Sequence, residues 1–285
     1  MTPITRFAPS PTGRLHLGHA YSAMLAHDLA RSRGGVFLLR IENIDPGRCR
    51  EEFIAGIYED LQWLDLRWDG DVIRQSHRMP VYAEVLARLR DMDMLYPCFC
   101  TRRDIAQSAS APHGVDGPVY PGTCRHLGDD ERNRRMDAEL HCWRLDMAAA
   151  VAYAGALTWH DSGRGEIIAD SLAQGDVVLA RKDAPVAYHL AVTVDDAAQG
   201  VTDVVRGEDL FAATHVHRLL QALLGLPTPR YHHHVLLTDD EGRRLAKRDG
   251  APTIAMLRDN GADPPVLLAG LRNAETGIGR LAASA

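Results

Sequence analysis

The sequence predicts an α/β fold in which helices cover a parallel sheet, on three observations. Apolar strand patterns and amphipathic helix patterns alternate through about the first hundred residues. The alternation breaks near Tyr96, where clustered cysteines and a Gly/Pro/Ser/His-rich loop read as an insertion, and it resumes at Val186. The chain of 285 residues, 46% hydrophobic and 25% charged, also carries enough apolar surface for sizeable cores without disulfide staples.

Taken in order, Ile4 to Ala8 reads as a short strand, and Pro9-Ser10-Pro11-Thr12-Gly13 follows it as a turn. From His16 to about Arg33, Leu17, Tyr21, Met24, Leu25 and Leu29 recur at helical spacing, and Gly34-Gly35 ends the run. Val36 to Ile41 is an apolar strand interrupted by Arg40. A second helix fits Glu51 to Leu64 through Phe53, Ile54, Ile57, Leu61 and Leu64, and a third fits Pro80 to Met92 through Val81, Val85, Leu86 and Leu89. Residues 98–135 look like a module with little core of its own, and 142–182 hold four short strand-like pieces. The stretch VAYHLAVTVDD from Val186 reads as another apolar strand, and Phe211 to Leu224 as a helix.

Composition excludes several classes. No apolar run approaches the roughly 18 residues of a membrane span, and the N-terminus lacks a signal-peptide core, so a cytoplasmic protein is expected. A net charge of −6 argues against a generic nucleic-acid coat and leaves room for local basic surfaces. Three of the five cysteines cluster, which in a reduced compartment points to a metal ahead of disulfides.

The segment Arg6-Phe7-Ala8-Pro9-Ser10-Pro11-Thr12-Gly13-Arg14-Leu15-His16-Leu17-Gly18-His19 combines a strand, a turn and a helix N-terminus. Free N–H groups and the positive end of the helix dipole at Gly18 suit a phosphate chain, and His16 and His19 can donate to its oxygens. A His-x-x-His pair also serves simply to cap or pack a helix.

These residues resemble the signature of class I aminoacyl-tRNA synthetases, with His-Leu-Gly-His in place of the family's His-Ile-Gly-His, and the lead from Arg6 resembles the glutamyl branch. Leu39-Arg40-Ile41-Glu42-Asn43-Ile44-Asp45 is similar to that branch's second block, and Val194-Asp195-Asp196 with Gly200 to Asp209 to its third. Arg243-Arg244-Leu245-Ala246-Lys247-Arg248 resembles the mobile Lys-Met-Ser-Lys-Ser loop, with Arg244 for the first lysine and Ala246 for the serine. The resemblance implies a Rossmann-like catalytic domain formed by 1–97 and 187–240, an inserted zinc-binding and acceptor-contact module at 98–186, and a signature loop with a short helical segment at 241–285.

Glutamate offers two carboxylates and one ammonium, so a selective pocket needs two cations and an anion. By resemblance, Arg6 holds the side-chain carboxylate, Arg206 the α-carboxylate and Glu42 the ammonium, while Tyr188 donates its hydroxyl and Phe7, Ala8, Pro9 and Ser10 complete the glutamate site. Glu42 in a structural ion pair and Tyr188 in a core are the plain alternatives. ATP falls to His16, Gly18, His19, Glu208, Arg244 and Lys247, with Mg²⁺ on the phosphates, and His16, His19 and Lys247 are the expected catalytic residues.

Cys98-x-Cys100 and Cys124 supply three thiolates for a closed tetrahedral zinc site. Ligand statistics favour His113 or His126 as the fourth donor, whereas the resemblance implies Tyr120 from its Tyr-x-x-x-Cys pattern. Cys49 and Cys142 are left as bystanders. His232-His233-His234 sits on a strand-like stretch where neighbouring side chains point to opposite faces, which argues against a metal triad.

Full-length members of the branch continue into a helical anticodon-binding region, but only 38 residues follow Lys247 here. Without that region the chain most closely resembles a shortened member of the branch, and this resemblance implies activation of L-glutamate without RNA and glutamylation of queuosine in the anticodon stem-loop of tRNA(Asp). Charging the terminal adenosine of tRNA(Glu) is the alternative. Arg102-Arg103, Arg132, Arg134-Arg135 and Arg243-Arg244 are candidate RNA contacts, and a monomer is expected.

Overall fold

The computed structural model describes residues 2–107, 113–114, 117–237 and 252–273. The chain forms two compact units, one from residues 1–77, 200–209 and 229–285, the other from 78–199 and 210–228. Among the described residues no helix is long and apolar enough to cross a membrane.

The first unit is built on parallel strands. Ile4–Phe7 pairs with Val36–Ile41, which pairs with Ile73–Arg74. On the other side of Ile4–Phe7 lies Asp203–Gly207, itself paired in parallel with Arg230–His234. The Thr202 N–H donates to the Ile4 carbonyl at 2.9 Å, and the Ile4 N–H donates to Thr202 Oγ1 at 2.8 Å. The expected helix after the first strand is Leu17–Arg31. It turns Ala20, Ala23, Ala26 and Ala30 inward, and the absence of bulk lets Thr5 Oγ1 reach the Ala26 carbonyl at 2.8 Å. Leu25 and Leu29 are only partly buried against the same core.

Helix Glu51–Trp63 buries Ile54, Ile57 and Leu61 beside Phe37, Leu39 and Ile41. The helices Ile254–Asp259 and Pro264–Arg272 add Ile254, Leu257, Leu267, Leu268 and Leu271 to that core, so this stretch completes the first unit. Arg258 anchors it by donating to the buried Asp60 at 2.9 Å.

In the second unit, Cys142–Leu145 is the middle strand between Leu95–Cys98 and Val178–Ala180, all antiparallel, and Thr158–Asp161 forms a hairpin with Gly165–Ile168. The four strand-like pieces of 142–182 are thus strands, with the helix Met147–Ala154 between the first two. Its Asp146 cap accepts from the Ala149 N–H at 3.0 Å.

Three expectations change here. The VAYHLAVTVDD stretch is the helix Tyr188–Ala198, not a strand. Every residue from Leu190 to Asp196 is buried, so no polar face interrupts the apolar run and its 3.6-residue period is hidden. In the third helix, Met79–Asp91, the buried face is Tyr82, Leu86 and Leu89, whereas Val81 is exposed. Tyr82 is drawn in because its hydroxyl donates to the buried Asp195 at 2.7 Å. Finally, residues expected to have little core contribute to a cluster of Tyr96, Cys98, Phe99, Tyr120, Cys124 and Cys142.

Gly34 takes φ +63°, and a Cβ on Gly35 would stand 2.2 Å from the Pro3 carbonyl oxygen. That contact is with backbone and cannot be relieved by a rotamer change. We predict that Gly35→Ala costs about 1–3 kcal/mol, read as a lowered denaturant midpoint at unchanged slope.

Candidate active site

The strand Ile4–Phe7 has a neighbour on each side, reached by connections that run in opposite directions across the sheet. Such a reversal opens a crevice at the carboxyl ends of the strands. Thr202 lies beside Ile4 and Val205 beside Arg6, so the Ile4–Phe7 and Asp203–Gly207 strands run in the same sense and their ends coincide.

Arg6 and Arg206 occupy those ends, each 5% exposed. Arg6 Nη1 donates to the Val205 carbonyl at 3.3 Å, which ties one guanidinium to the strand that carries the other. Glu42 follows the Val36–Ile41 strand, and its N–H donates to the Pro9 carbonyl at 3.0 Å, fixing the turn after Arg6 to the neighbouring strand. Its side chain accepts from the fully buried Arg40 at 3.3 Å, so the structural ion pair is realised. Phe7 belongs to the apolar core, Pro9 is buried, Ala8 is half-buried and Ser10 is exposed.

His16 is the N-cap of Leu17–Arg31. Its Nδ1 accepts from the Gly18 N–H at 3.1 Å, and His19 Nδ1 accepts from the His16 N–H at 3.3 Å. Backbone N–H groups only donate, so each neutral ring carries its proton on Nε2. Helix capping and donation to a phosphate are therefore compatible, because they use opposite nitrogens. The ring centroids are 3.8 Å apart. Thr253 bridges His16, and the Ile254 N–H donates to the Leu15 carbonyl at 2.9 Å. Glu208 opens the short helical turn Glu208–Leu210 and is exposed. Arg243, Arg244, Ala246, Lys247 and Arg248 lie outside the described residues.

The three successive histidines have three different partners. His232 Nε2 meets Asp203 Oδ1 at 2.9 Å, Arg206 Nε donates to His233 Nε2 at 3.2 Å, and His234 Nδ1 donates to the Val235 carbonyl at 2.9 Å. Burial lowers the basicity of His234. Asp203 is fully buried, and burial alone would raise its carboxyl. Hydrogen bonds from Thr202, His232 and Arg230 outweigh that and hold it below the ordinary carboxylate range.

In the second unit, Tyr188 opens the helix Tyr188–Ala198, with His189 and His217 rings 5.6 Å from it and 3.1 Å from each other between nitrogens. Asp195 accepts from Arg78 and from Tyr82, each at 2.7 Å. Arg78 and Tyr82 carry no motif of their own, and only the carboxylate they bind was legible.

A candidate metal site is in the same unit. The Cys98, Cys100 and Cys124 ligand atoms lie within 4.8 Å of one another, with no histidine in the group among the described residues. A tetrahedron with arms of about 2.3 Å has edges of about 3.8 Å. The Cys100–Cys124 separation is 3.6 Å, and Tyr120 Oη is 3.3 Å from Cys98 and 3.7 Å from Cys100, distances of the size of such an edge. The Tyr120 oxygen also accepts from the Cys124 N–H at 2.8 Å. Hydrogen bonds from Cys142, Tyr120 and Arg144 pull the Cys98 thiol down to about 4, whereas burial pushes Cys100 up to about 11. Arg144 stacks over the Tyr120 ring at 3.8 Å. Cys142 is a buried neighbour of Cys98, and all five cysteines are free thiols.

Of the candidate RNA-contacting arginines, Arg132 pairs with Asp129 at 3.1 Å, Arg134 with Glu131, and Arg135 with Glu139 at 2.8 Å. The helix Asp129–Ala138 buries none of its residues and is held by these pairs.

Residues 4–279 match the catalytic domain of the class I tRNA synthetases (E and Q). The chain belongs to this family. Within this synthetase family it is 51% identical over 274 residues to the Glutamyl-Q tRNA(Asp) synthetase of Rhodobacter capsulatus, covering 92% of this chain and 96% of that one. It is 45% identical over 268 residues to the same-named protein of Nocardia farcinica, covering 93% and 82%. A glutamate tRNA ligase from Elizabethkingia meningosepticum, solved in complex with its amino acid, superposes with a TM-score of 0.80 at 26% identity. The glutamate-tRNA synthetase of Elizabethkingia anophelis does so with 0.81 at 26% identity. The chain spans 60% and 61% of the lengths of those two synthetases and is itself covered to 95% by each.

Two outcomes follow for this class I synthetase. Cys98→Ser should lose bound metal, measured by elemental analysis, and expose the insertion to proteolysis. Asp203→Asn should cost about 1–3 kcal/mol at pH 7. Because the folded carboxyl is depressed, the wild-type advantage is present above the unfolded value of about 3.9 and fades as pH falls through the folded one. The two denaturation midpoints should therefore converge on acidification.

Proposed function

We propose that the protein is an ATP-dependent ligase that forms glutamyl-adenylate without RNA and transfers the glutamyl group to queuosine in the anticodon loop of tRNA(Asp). The observation that carries this reading is the 51% identity to a Glutamyl-Q tRNA(Asp) synthetase over nearly the whole of both chains. The crevice chemistry supports it: two buried arginines and a buried glutamate are the charges that a dicarboxylate with one ammonium requires.

In the first step a glutamate α-carboxylate oxygen attacks the α-phosphorus of ATP, and the bond to pyrophosphate breaks. The attacking carboxylate is already ionised, so the step needs positioning and charge stabilisation and no general base. Arg6 holds the side-chain carboxylate, Arg206 the α-carboxylate and Glu42 the ammonium, with Tyr188 adding its hydroxyl. Phe7, Ala8, Pro9 and Ser10 shape the floor. His16 and His19 donate from Nε2 to phosphate oxygens beside the Gly18 end of the helix, and Glu208, Arg244 and Lys247 complete the nucleotide site. Mg²⁺ on the phosphates supplies further charge neutralisation. In the second step a queuosine hydroxyl attacks the acyl carbon and AMP leaves.

Zinc held by Cys98, Cys100, Tyr120 and Cys124 supplies a structural cross-link to the insertion. The free thiols suit the reducing cytoplasm. We assign catalysis to 1–97 with 187–240, acceptor contact to 98–186, and the signature loop with a short helical segment to 241–285.

Glutamate-dependent ATP–pyrophosphate exchange is expected in the absence of RNA, followed by transfer to tRNA(Asp) that contains queuosine and not to tRNA(Asp) that lacks it. Transfer that stops when the terminal adenosine of the RNA is removed would overturn the acceptor assignment. Arg6→Ala should cut kcat/KM for glutamate about 100-fold or more with an unchanged thermal midpoint, and normal exchange by this variant would remove Arg6 from the site.

A further inference from the structure

We propose that His233 is the positioning residue of Arg206, acting as the acceptor that sets the direction of its guanidinium. The inference rests on Arg206 holding a glutamate carboxylate.

Arg206 and His233 are register partners on parallel strands, so their side chains leave the sheet on the same face. Arg206 Nε donates to His233 Nε2 at 3.2 Å. A guanidinium presents its donors in a fixed planar fork. Once Nε is bonded, the plane of the fork is set, and its remaining N–H groups have defined directions. The bond also assigns the imidazole: Nε2 accepts, so the neutral ring carries its proton on Nδ1. Tyr231, two residues earlier on the same face, reinforces the arrangement. Its ring is parallel to His233 within 7° at 6.0 Å, and the Arg206 guanidinium lies over it at 5.2 Å.

The opposite face of the same strand pair locks the register. Asp203 takes Arg230 at 3.0 Å and His232 at 2.9 Å, both one step out of phase with Tyr231 and His233. A slip of one residue would break the Asp203 pairs and move His233 away from Arg206 at once. The arrangement therefore separates two tasks: Asp203 with His232 holds the strands, and His233 aims the arginine.

The function predicts a specific substitution pattern. Gln places its amide oxygen near the position of Nε2 and accepts a hydrogen bond, whereas Phe keeps a ring against Tyr231 and accepts none. In exchange assays, His233→Phe and His233→Met should raise the KM for glutamate about tenfold and leave the KM for ATP within about twofold. His233→Gln should return the glutamate KM to within about threefold of wild type. Equal glutamate KM values for the Gln, Phe and Met variants would overturn the inference, since the acceptor would then not matter. A matching rise in the ATP KM would overturn it as well, by pointing to general damage. Should the Phe variant melt early, the Met and Gln pair decides between the same outcomes. Arg206→Gln separates this inference from the reading beneath it. A raised glutamate KM in Arg206→Gln with none in the His233 variants removes only the positioning role, whereas an unchanged KM in Arg206→Gln removes Arg206 itself from the glutamate site.

Discussion

Because the strand Ile4–Phe7 has neighbours on both sides, its carboxyl end is held at one place in the first unit, and the chain reverses its direction across the sheet there. The residues proposed for the site in this unit are arranged around that end. Arg6 is the last-but-one residue of the strand, Arg206 leaves the neighbouring strand, Glu42 leaves the other neighbour, and His16 begins the helix that follows. Backbone pairing thus does the coarse positioning, to the spacing of adjacent strands, before any side chain contributes.

Fine positioning then comes from hydrogen bonds that buried polar groups must make in any case. Arg6 satisfies part of its donor set on the Val205 carbonyl, Glu42 satisfies part of its acceptor set on Arg40, and His16 and His19 cap one another's helix turn. In the second unit the cysteine cluster follows the same economy, with Tyr120 accepting a backbone N–H while its oxygen stands beside two sulfurs.

Helices with a polar side were legible because their period survives in the sequence, as in Leu17–Arg31 and Glu51–Trp63. Tyr188–Ala198 was not, since burial from Leu190 through Asp196 removes the polar face by which a helix differs from a buried strand. The Met79–Asp91 face was misjudged by one residue for a related reason: Tyr82 turns inward to reach Asp195, which lies 113 positions along the chain. A local pattern carries no information about such a partner.

The sequence by itself determined the residue types and their order: an Arg, a turn and a His-x-Gly-His at one strand's end, a Glu after the next, an Arg in a later block, and three spaced cysteines with a tyrosine. Those are local facts, set by strand and helix chemistry within a few residues. Only the tertiary structure decided which nitrogen of each histidine faces its neighbour, that Glu42 shares an oxygen with Arg40, and that three consecutive histidines take three unrelated partners. For His232 and His233, strand register decides the partner. A register joins segments tens of residues apart, and a shift of one position would exchange the faces of every side chain.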